Sequence, residues 1–179
     1  MTSGLLTTPV SGALRGTLLD ILISPAAGAA IERRPCAHAV PGCGIANDRY
    51  ARNEGTWSSR PSWRSEVTLV AEEQLAGAGL TPEHARRNLL TRGLQLEALV
   101  GWRLHVGEVV LVAQRVCSPC RLLQRRSGLP VGDLLKDGGG LRARIVTGGT
   151  LRRGDDIRAL PPDGEQAQRN GSWSREPLR

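Results

Sequence analysis

The segment 102-WRLHVGEVVLVAQRV-116 constrains the fold more than any other stretch of the chain. Its first half alternates apolar and polar residues, Gly107-Glu108 offers a tight turn, and 109-VVLVAQRV-116 reads as a buried β run. The pattern recurs on both sides of it. The run 17-TLLDILIS-24 reads as a strand ended by Pro25, and 31-IERRPCAHAVPGCGIANDRY-50 is strand-like but broken at Pro35 and Pro41. Strand 66-EVTLVA-71 passes into a short helix, 72-EEQLAGAG-79, and a second helix is expected to start at 81-TPEHARRN-88. There Thr81 stands at the cap and Pro82 at the first helical position. Short strand 89-LLTRG-93 follows, and 119-PCRLLQRR-126 and 130-PVGDLLKD-137 are helix-like. Segment 141-LRARIVTGG-149 sets Leu141, Ala143 and Ile145 against Arg142 and Arg144, the mark of a half-buried strand, and 155-DDIRAL-160 is the last strand. Many short strands, few helices and regular glycine punctuation predict a mainly β (α+β) fold: a β-barrel or closed sheet with short helical insertions.

At 179 residues the chain suits one domain, long enough to bury about 70% of its unfolded surface. We expect a flexible arm over 1–15, the domain over 16–160, and a disordered Pro-, Gly-, Ser- and Arg-rich tail over 161–179. With no Phe and one Tyr, the core must be aliphatic. The net charge of +7 comes almost wholly from arginine, since Lys136 is the one lysine. Such a balance points to an anionic partner, although scattered arginines also suit a plain solvated surface. The four Trp do not interleave with basic residues along a strand, so a base-stacking nucleic-acid barrel is not expected. No glycine-rich strand–turn–helix unit is present, and 138-GGG-140 lies between a helix and a strand, the reverse of a phosphate-cradling loop. Arg15, 17-TLLDILI-23 and 26-AAGAA-30 imitate a signal peptide, but Asp20 interrupts the apolar run and the run alternates as a strand. No segment approaches the roughly 20 apolar residues needed to span a bilayer. A membrane partner is therefore not expected.

Four cysteines remain to be placed: Cys36, Cys43, Cys117 and Cys120. The spacing is not that of a disulfide scaffold, and a chain of this length needs no staples, so a reducing, cytoplasmic setting is expected. The pair in 116-VCSPCRLL-123 is compatible with a redox dithiol, but that needs a βαβ context the sequence lacks. A zinc site would have to add Cys36 and Cys43, whose six intervening residues exceed the usual knuckle. Inert buried thiols are the simplest reading for Cys36 and Cys43, and an open one for Cys117. Cys120 differs. It follows Pro119 where a strand passes into a helix, with Arg115, Arg121 and Arg125 near in sequence. Helix start and cations both favour the thiolate, the form that ligates soft metals or carries a sulfane sulfur.

Several pieces then stand in a telling order: 18-LLDILISP-25, 42-GCGIANDRY-50, 55-GTWS-58, 66-EVTLVAEEQL-75, 85-ARRNLLTRGLQLEALVG-101, 104-LHVGEVVL-111, 117-CSPCRLL-123 and 141-LRARIVTGGTLRRGDDI-157. Together they resemble the MOSC domain, the C-terminal domain of molybdenum cofactor sulfurases that also occurs as stand-alone bacterial proteins. The resemblance covers roughly 17–160 and implies a MOSC-like β-barrel. It also implies one functional cysteine, whose matching position is Cys120. In cofactor sulfurases that cysteine is thought to carry sulfur; in related amidoxime-reducing enzymes it ligates molybdenum held by a pterin. The Arg-x-Asn segment that contacts the cofactor in those reductases aligns with Arg86-Arg87-Asn88, which implies cofactor-binding roles for Arg86 and Asn88. The family's Gly-Asp-Arg-Tyr/His turn stands here as Asn47-Asp48-Arg49-Tyr50, with Asn for Gly; Asn tolerates the left-handed backbone such a turn needs. Asp48 and Arg49 serve either to frame this turn or to touch the cofactor. Thr56, Trp57 and Ser58 lie on the long 51–64 loop, where Thr56 and Ser58 are placed to contact the cofactor or cover the site, and Trp57 to anchor the surface.

The resemblance implies two readings. In the first, the chain binds a molybdenum–pterin cofactor with Cys120 as metal ligand and reduces small N-hydroxylated substrates, drawing electrons from a donor protein. In the second, Cys120 carries a persulfide received from a pyridoxal phosphate-dependent cysteine desulfurase. Lys136 sits in the acidic, glycine-rich 133-DLLKDGGG-140, so any pyridoxal phosphate is expected on the partner protein. The N-terminal barrel half of the larger reductases and a ferredoxin-type cysteine cluster are both expected to be missing.

Overall fold

The alternation that predicts the opening strand is realised in β1 (Leu14–Ile23), where Leu18, Ile21 and Ile23 point to one buried cluster and Leu22 to another. The computed structural model describes residues 13–55, 58–59, 65–119, 121–136 and 138–162. Within these, β2 (Glu32–Arg34), β3 (Cys36–Val40) and β4 (Gly44–Ile45) follow, divided at Pro35 and Pro41 as expected. Then come β5 (Val67–Ala71), α1 (Glu72–Gly77), α2 (Pro82–Ala85), β6 (Leu89–Arg92) and a 3₁₀ turn over Leu96–Leu99. The hairpin of β7 (Arg103–Val106) and β8 (Val109–Val116) turns at Gly107, whose φ of +55° suits glycine. The chain continues through α3 (Arg121–Ser127), α4 (Val131–Leu134), β9 (Leu141–Thr147), β10 (Gly149–Arg152) and β11 (Asp156–Leu160).

Seven strands close on themselves. The order β11-β7-β8-β9-β5-β6-β1 is joined back by β1–β11 pairing, so the barrel leaves no edge among these strands. Strand β2 pairs outside the ring with β1. All ring pairings are antiparallel except β5–β6, which are parallel because α1 and α2 lie in the crossover between them. The second sheet, β10-β3-β4, contributes Ala39, Ile45 and Leu151 to the barrel core. That core is aliphatic as the composition demands, with Leu69, Leu104, Leu111 and Ile157 all at 0% exposure. Each such side chain contributes about 1.5–3 kcal/mol by leaving water.

A smaller cluster lies outside the barrel. Leu22, Val70 and Leu90 project from β1, β5 and β6 against Leu75, Ala85 and Val131 of the helices. The helices thus cover the outer face of those three strands.

The second helix starts as expected, with Thr81 at its cap and Pro82 at its first position, and ends at Ala85, where Arg86 adopts φ +52° and ψ +41°. Two expectations need correction. Strand β1 starts at Leu14, and Leu14 and Arg15 pair with Ala159 and Arg158, so these two belong to the sheet and not to the arm. Strand β10 was not expected; Gly148 and Gly149 read as the end of the strand begun at Leu141, yet Gly149 opens a new strand paired with β3. The tail from 163 onward lies outside the described residues.

Candidate functional site

Ser24, immediately after β1, is where the sequence-expected residues converge. Its backbone N–H donates to Asp48 Oδ2 at 2.9 Å, and its carbonyl accepts from the Arg49 N–H at 2.9 Å. Its hydroxyl accepts from Arg86 Nη2 at 3.1 Å, while the same nitrogen donates to the Ala29 carbonyl at 3.0 Å. Arg86 therefore meets the Asp48–Arg49 turn through one serine.

The turn itself folds as its residues require. Asn47 carries the left-handed backbone at φ +66°. Asp48 is 2% exposed, and its second oxygen accepts from the Tyr50 N–H at 2.9 Å. Arg49 is 7% exposed, with Nη1 3.8 Å from Asp48 Oδ2 and its guanidinium 4.8 Å from the Tyr50 ring centroid. Its Nε is buried without a hydrogen-bond partner, and a buried donor left unmade is the exception in folded chains. The loop arrives beside this turn: Gly55 lies so close to the Tyr50 ring that a Cβ would overlap it. Ser58 Oγ accepts from the Gly55 N–H at 3.0 Å, so this hydroxyl closes its own tight turn. Thr56 lies outside the described residues.

Asn88 forms a second junction. Its Oδ1 accepts from the Thr68 N–H at 3.1 Å and from Thr68 Oγ1 at 2.9 Å, and its Nδ2 donates to the Leu22 carbonyl at 3.3 Å. Both ends of the amide are thus engaged in tying β5 to the end of β1. The backbone adds Leu22 N–H to the Asn88 carbonyl at 2.7 Å.

Arg87, between the two expected residues, reaches the cysteine turn. Its Nε donates to the Gly139 carbonyl at 2.9 Å, Nη1 to Ala85 at 3.1 Å and Nη2 to the Cys117 carbonyl at 3.2 Å. Cys117 is buried, and its N–H donates to the Gly140 carbonyl at 2.8 Å. The three glycines are explained here. Side chains at 138, 139 and 140 would strike Glu97, the Cys117 carbonyl and the Leu69 carbonyl respectively. They let the backbone lie directly beneath the cysteine turn. Cys120 lies outside the described residues.

The remaining thiols separate. Cys43 is half-buried and its Sγ donates to the Ala51 carbonyl at 3.3 Å. Cys36, expected to be buried, is exposed: it opens β3 at an outward position while Ala39 points in. No cluster of His, Cys, Asp and Glu that could hold a metal ion occurs among the described residues. Among them, too, no helix is long and apolar enough to cross a membrane.

Sequence reasoning missed Ser24 and Arg87. A serine between a strand and a proline is a weak signal for Ser24; Arg87 had none, because its three acceptors are backbone carbonyls.

No curated protein sequence matches the chain. Solved structures do. The YUAD protein from Bacillus subtilis superposes with a TM-score of 0.70 at 15% identity, covering 84% of this chain and 98% of that one. YiiM from Escherichia coli gives 0.58 at 15% identity, covering 82% of this chain and 71% of that one. YiiM from Geobacillus stearothermophilus gives 0.58 at 10% identity, covering 81% and 75%. At these identities the likeness is one of fold. The MOSC domain model, in contrast, matches residues 56–158, more than half of the sequence, and that stretch carries Arg86, Asn88 and the C-S-P-C motif. On that match, joined to the closed seven-strand barrel, the chain belongs to the MOSC domain family.

Proposed function

We propose that this chain binds a molybdenum–pterin cofactor, with Cys120 as the metal's protein ligand, and reduces N-hydroxylated small molecules with electrons from a donor protein. The observation that carries the reading is the convergence of Arg86, Asp48 and Arg49 on Ser24, beside a cysteine turn held by Arg87. The donor set fits an anionic, sulfur-rich cofactor. Arg49 Nε is a buried donor lacking an acceptor, and guanidinium forks bind oxyanions in bidentate fashion. A thiolate suits a metal already bound by soft sulfur. Arg86, a non-glycine residue held in left-handed backbone, is consistent with the reading, since such positions cluster at functional sites.

When bound, the cofactor supplies the redox chemistry. The chain's own residues bind and orient. Arg86 and Arg49 offer cationic donors. Asp48 fixes the Arg49 turn, and Asn88 fixes β1 against β5 beneath it. Arg87 holds the Cys117 carbonyl and with it the turn leading to Cys120. Ser58 closes a tight turn with Gly55 beside the Tyr50 ring.

The test is metal and pterin analysis of protein expressed in a cofactor-producing host, with wild type beside Cys120→Ala and Arg86→Gln. Near-stoichiometric molybdenum and pterin in the wild type, with metal lost from Cys120→Ala, are expected. Turnover of an N-hydroxylated base by the loaded wild type but not by Cys120→Ala completes the case. Absence of molybdenum from the wild type, with one added sulfur on Cys120 after incubation with a desulfurase and cysteine, would replace this reading with the sulfur carrier.

A further inference from the structure

The 3₁₀ turn over Leu96–Leu99 and helix α1 face one another across a cleft that the cofactor reading leaves unused. Leu96 and Leu99 are buried in the barrel core and Leu75 in the outer cluster, which fixes both walls. Their polar neighbours meet in between: Gln74 Nε2 donates to Glu97 Oε1 at 2.7 Å. The cleft holds about 490 Å³, the size of a small-molecule site. Ala71, Leu94 and Ala98 give it an apolar wall, and Glu73, Gln74 and Glu97 give it acceptors.

These acceptors are only partly used. Glu97 Oε1 also accepts from the Gly140 N–H at 3.3 Å, and Glu73 Oε1 accepts from the Gly93 N–H at 2.7 Å. The second oxygen of each carboxylate takes part in no hydrogen bond or ion pair among the described residues. Gln74 gives its nitrogen to Glu97, and its Oε1 is left buried without a partner. Turning the amide over would set that oxygen against the carboxylate, so the orientation is fixed. An apolar side chain at 74 would spare the fold an orphaned acceptor. Gly138 makes room for the pair, since a Cβ there would overlap both Glu97 and Gln74. Among the described residues that line the cleft none is basic, in a chain of net charge +7. The arginine nearest in sequence, Arg92, is bonded to Glu72 instead.

We propose that this cleft binds an organic cation, a primary ammonium carried on an apolar body. Glu97 is half-buried and offers one open oxygen, which suits a single charged N–H donor better than a bidentate guanidinium fork. Glu73 is exposed and adds its charge at the rim. The ligand's body lies on the apolar wall, a surface that favours an organic cation over a hydrated metal ion. None of these residues takes part in the cofactor binding proposed above.

The probe is benzylamine, titrated calorimetrically into the full chain at low ionic strength and neutral pH, where the amine is charged. Saturable binding near one equivalent is expected. Benzyl alcohol, of the same shape but neutral, should bind at least about tenfold more weakly, the loss of one charge-assisted bond. Benzoate, the anion, should not bind. Glu97→Gln should weaken benzylamine about tenfold, and Glu73→Gln about threefold, because its exposed charge is screened. Glu32→Gln, on β2, should change nothing. Glu97 also holds Gly140, so if Glu97→Gln does not fold, the comparison of benzylamine with benzyl alcohol on the wild type carries the test with Glu73→Gln. Magnesium chloride should not displace the amine beyond the effect of equal ionic strength. No saturable benzylamine binding, equal binding of benzyl alcohol or benzoate, full affinity in the folded Glu97→Gln variant, or specific displacement by magnesium overturns the proposal.

Discussion

Two polar regions lie close together on this barrel and are built on opposite terms. At the end of β1, the polar groups largely satisfy one another: Asp48 accepts two backbone N–H groups, Asn88 uses both ends of its amide, and Arg86 bonds Ser24 and Ala29. On β8 and β9, a bulge brings Arg115 opposite Arg142 in the strand register. The first arrangement lowers the energy of the folded chain. The second brings like charges together on adjacent strands, which by itself opposes folding. The difference separates framework from function even within one family motif. Asn88 and Asp48 hold backbone in place, whereas Arg49 keeps a buried Nε without a hydrogen-bond partner.

The comparison breaks most readily at Asp48. In Asp48→Ala the Ser24 and Tyr50 N–H groups lose their acceptor and the buried Arg49 loses its counter-charge, which should cost about 3–5 kcal/mol. Urea unfolding followed by circular dichroism measures this. A loss below about 1 kcal/mol would show that this end of β1 is not the framework we describe. Asn88→Ala should come next, at about 2–3 kcal/mol, since three bonds go but part of the site is within reach of water. Full stability with cofactor loading lost would instead make Asn88 a direct cofactor ligand.

Arg115→Gln should move the other way. Burial and Arg142 both disfavour its charge, so removing that charge is expected to leave stability unchanged or raise it by up to about 1 kcal/mol. A destabilisation comparable to that of Asn88→Ala would place Arg115 in the framework and dissolve the contrast.

Much of this was legible in the sequence, and the parts that were not share a cause. The strands were readable because alternation and aliphatic runs report directly on which face is buried, as in β1 and β9. Asp48, Arg49, Arg86 and Asn88 were singled out by the family resemblance, and the structure ties the first three together through Ser24. What stayed hidden depends on partners distant in sequence. Arg86 ends α2 after Ala85, and Asn88 then meets Thr68 and Leu22; no feature of 81-TPEHARRN-88 announces those partners. The β8 bulge is equally silent, since 109-VVLVAQRV-116 reads as one uninterrupted strand and the slip appears only against β9. Cys36 was misjudged because residue type alone favours burial, whereas its facing is set by Ala37 and Ala39 packing inward.

The smallest effect tests the brace behind Arg86. Glu83 on α2 holds Arg33, which also reaches the buried Asp20, so the helix that ends in Arg86 is anchored to β1 and β2. Burial alone would raise the Glu83 pKa, but bonds to its own backbone, Arg33 and Thr81 outweigh it and leave the carboxyl below its ordinary value. Arg33 is shifted up, chiefly by its bond to Glu83. A depressed carboxyl stabilises the fold above its unfolded pKa, and that contribution is lost as pH falls through the folded value. With side chains 50% and 40% exposed, solvent screens the pair, and the contribution is about 0.3–1 kcal/mol. Glu83→Gln should therefore lower the melting temperature slightly at neutral pH, and the gap to wild type should close on acidification below roughly pH 4. A gap that persists in acid would mean that Glu83 acts by packing and not by charge.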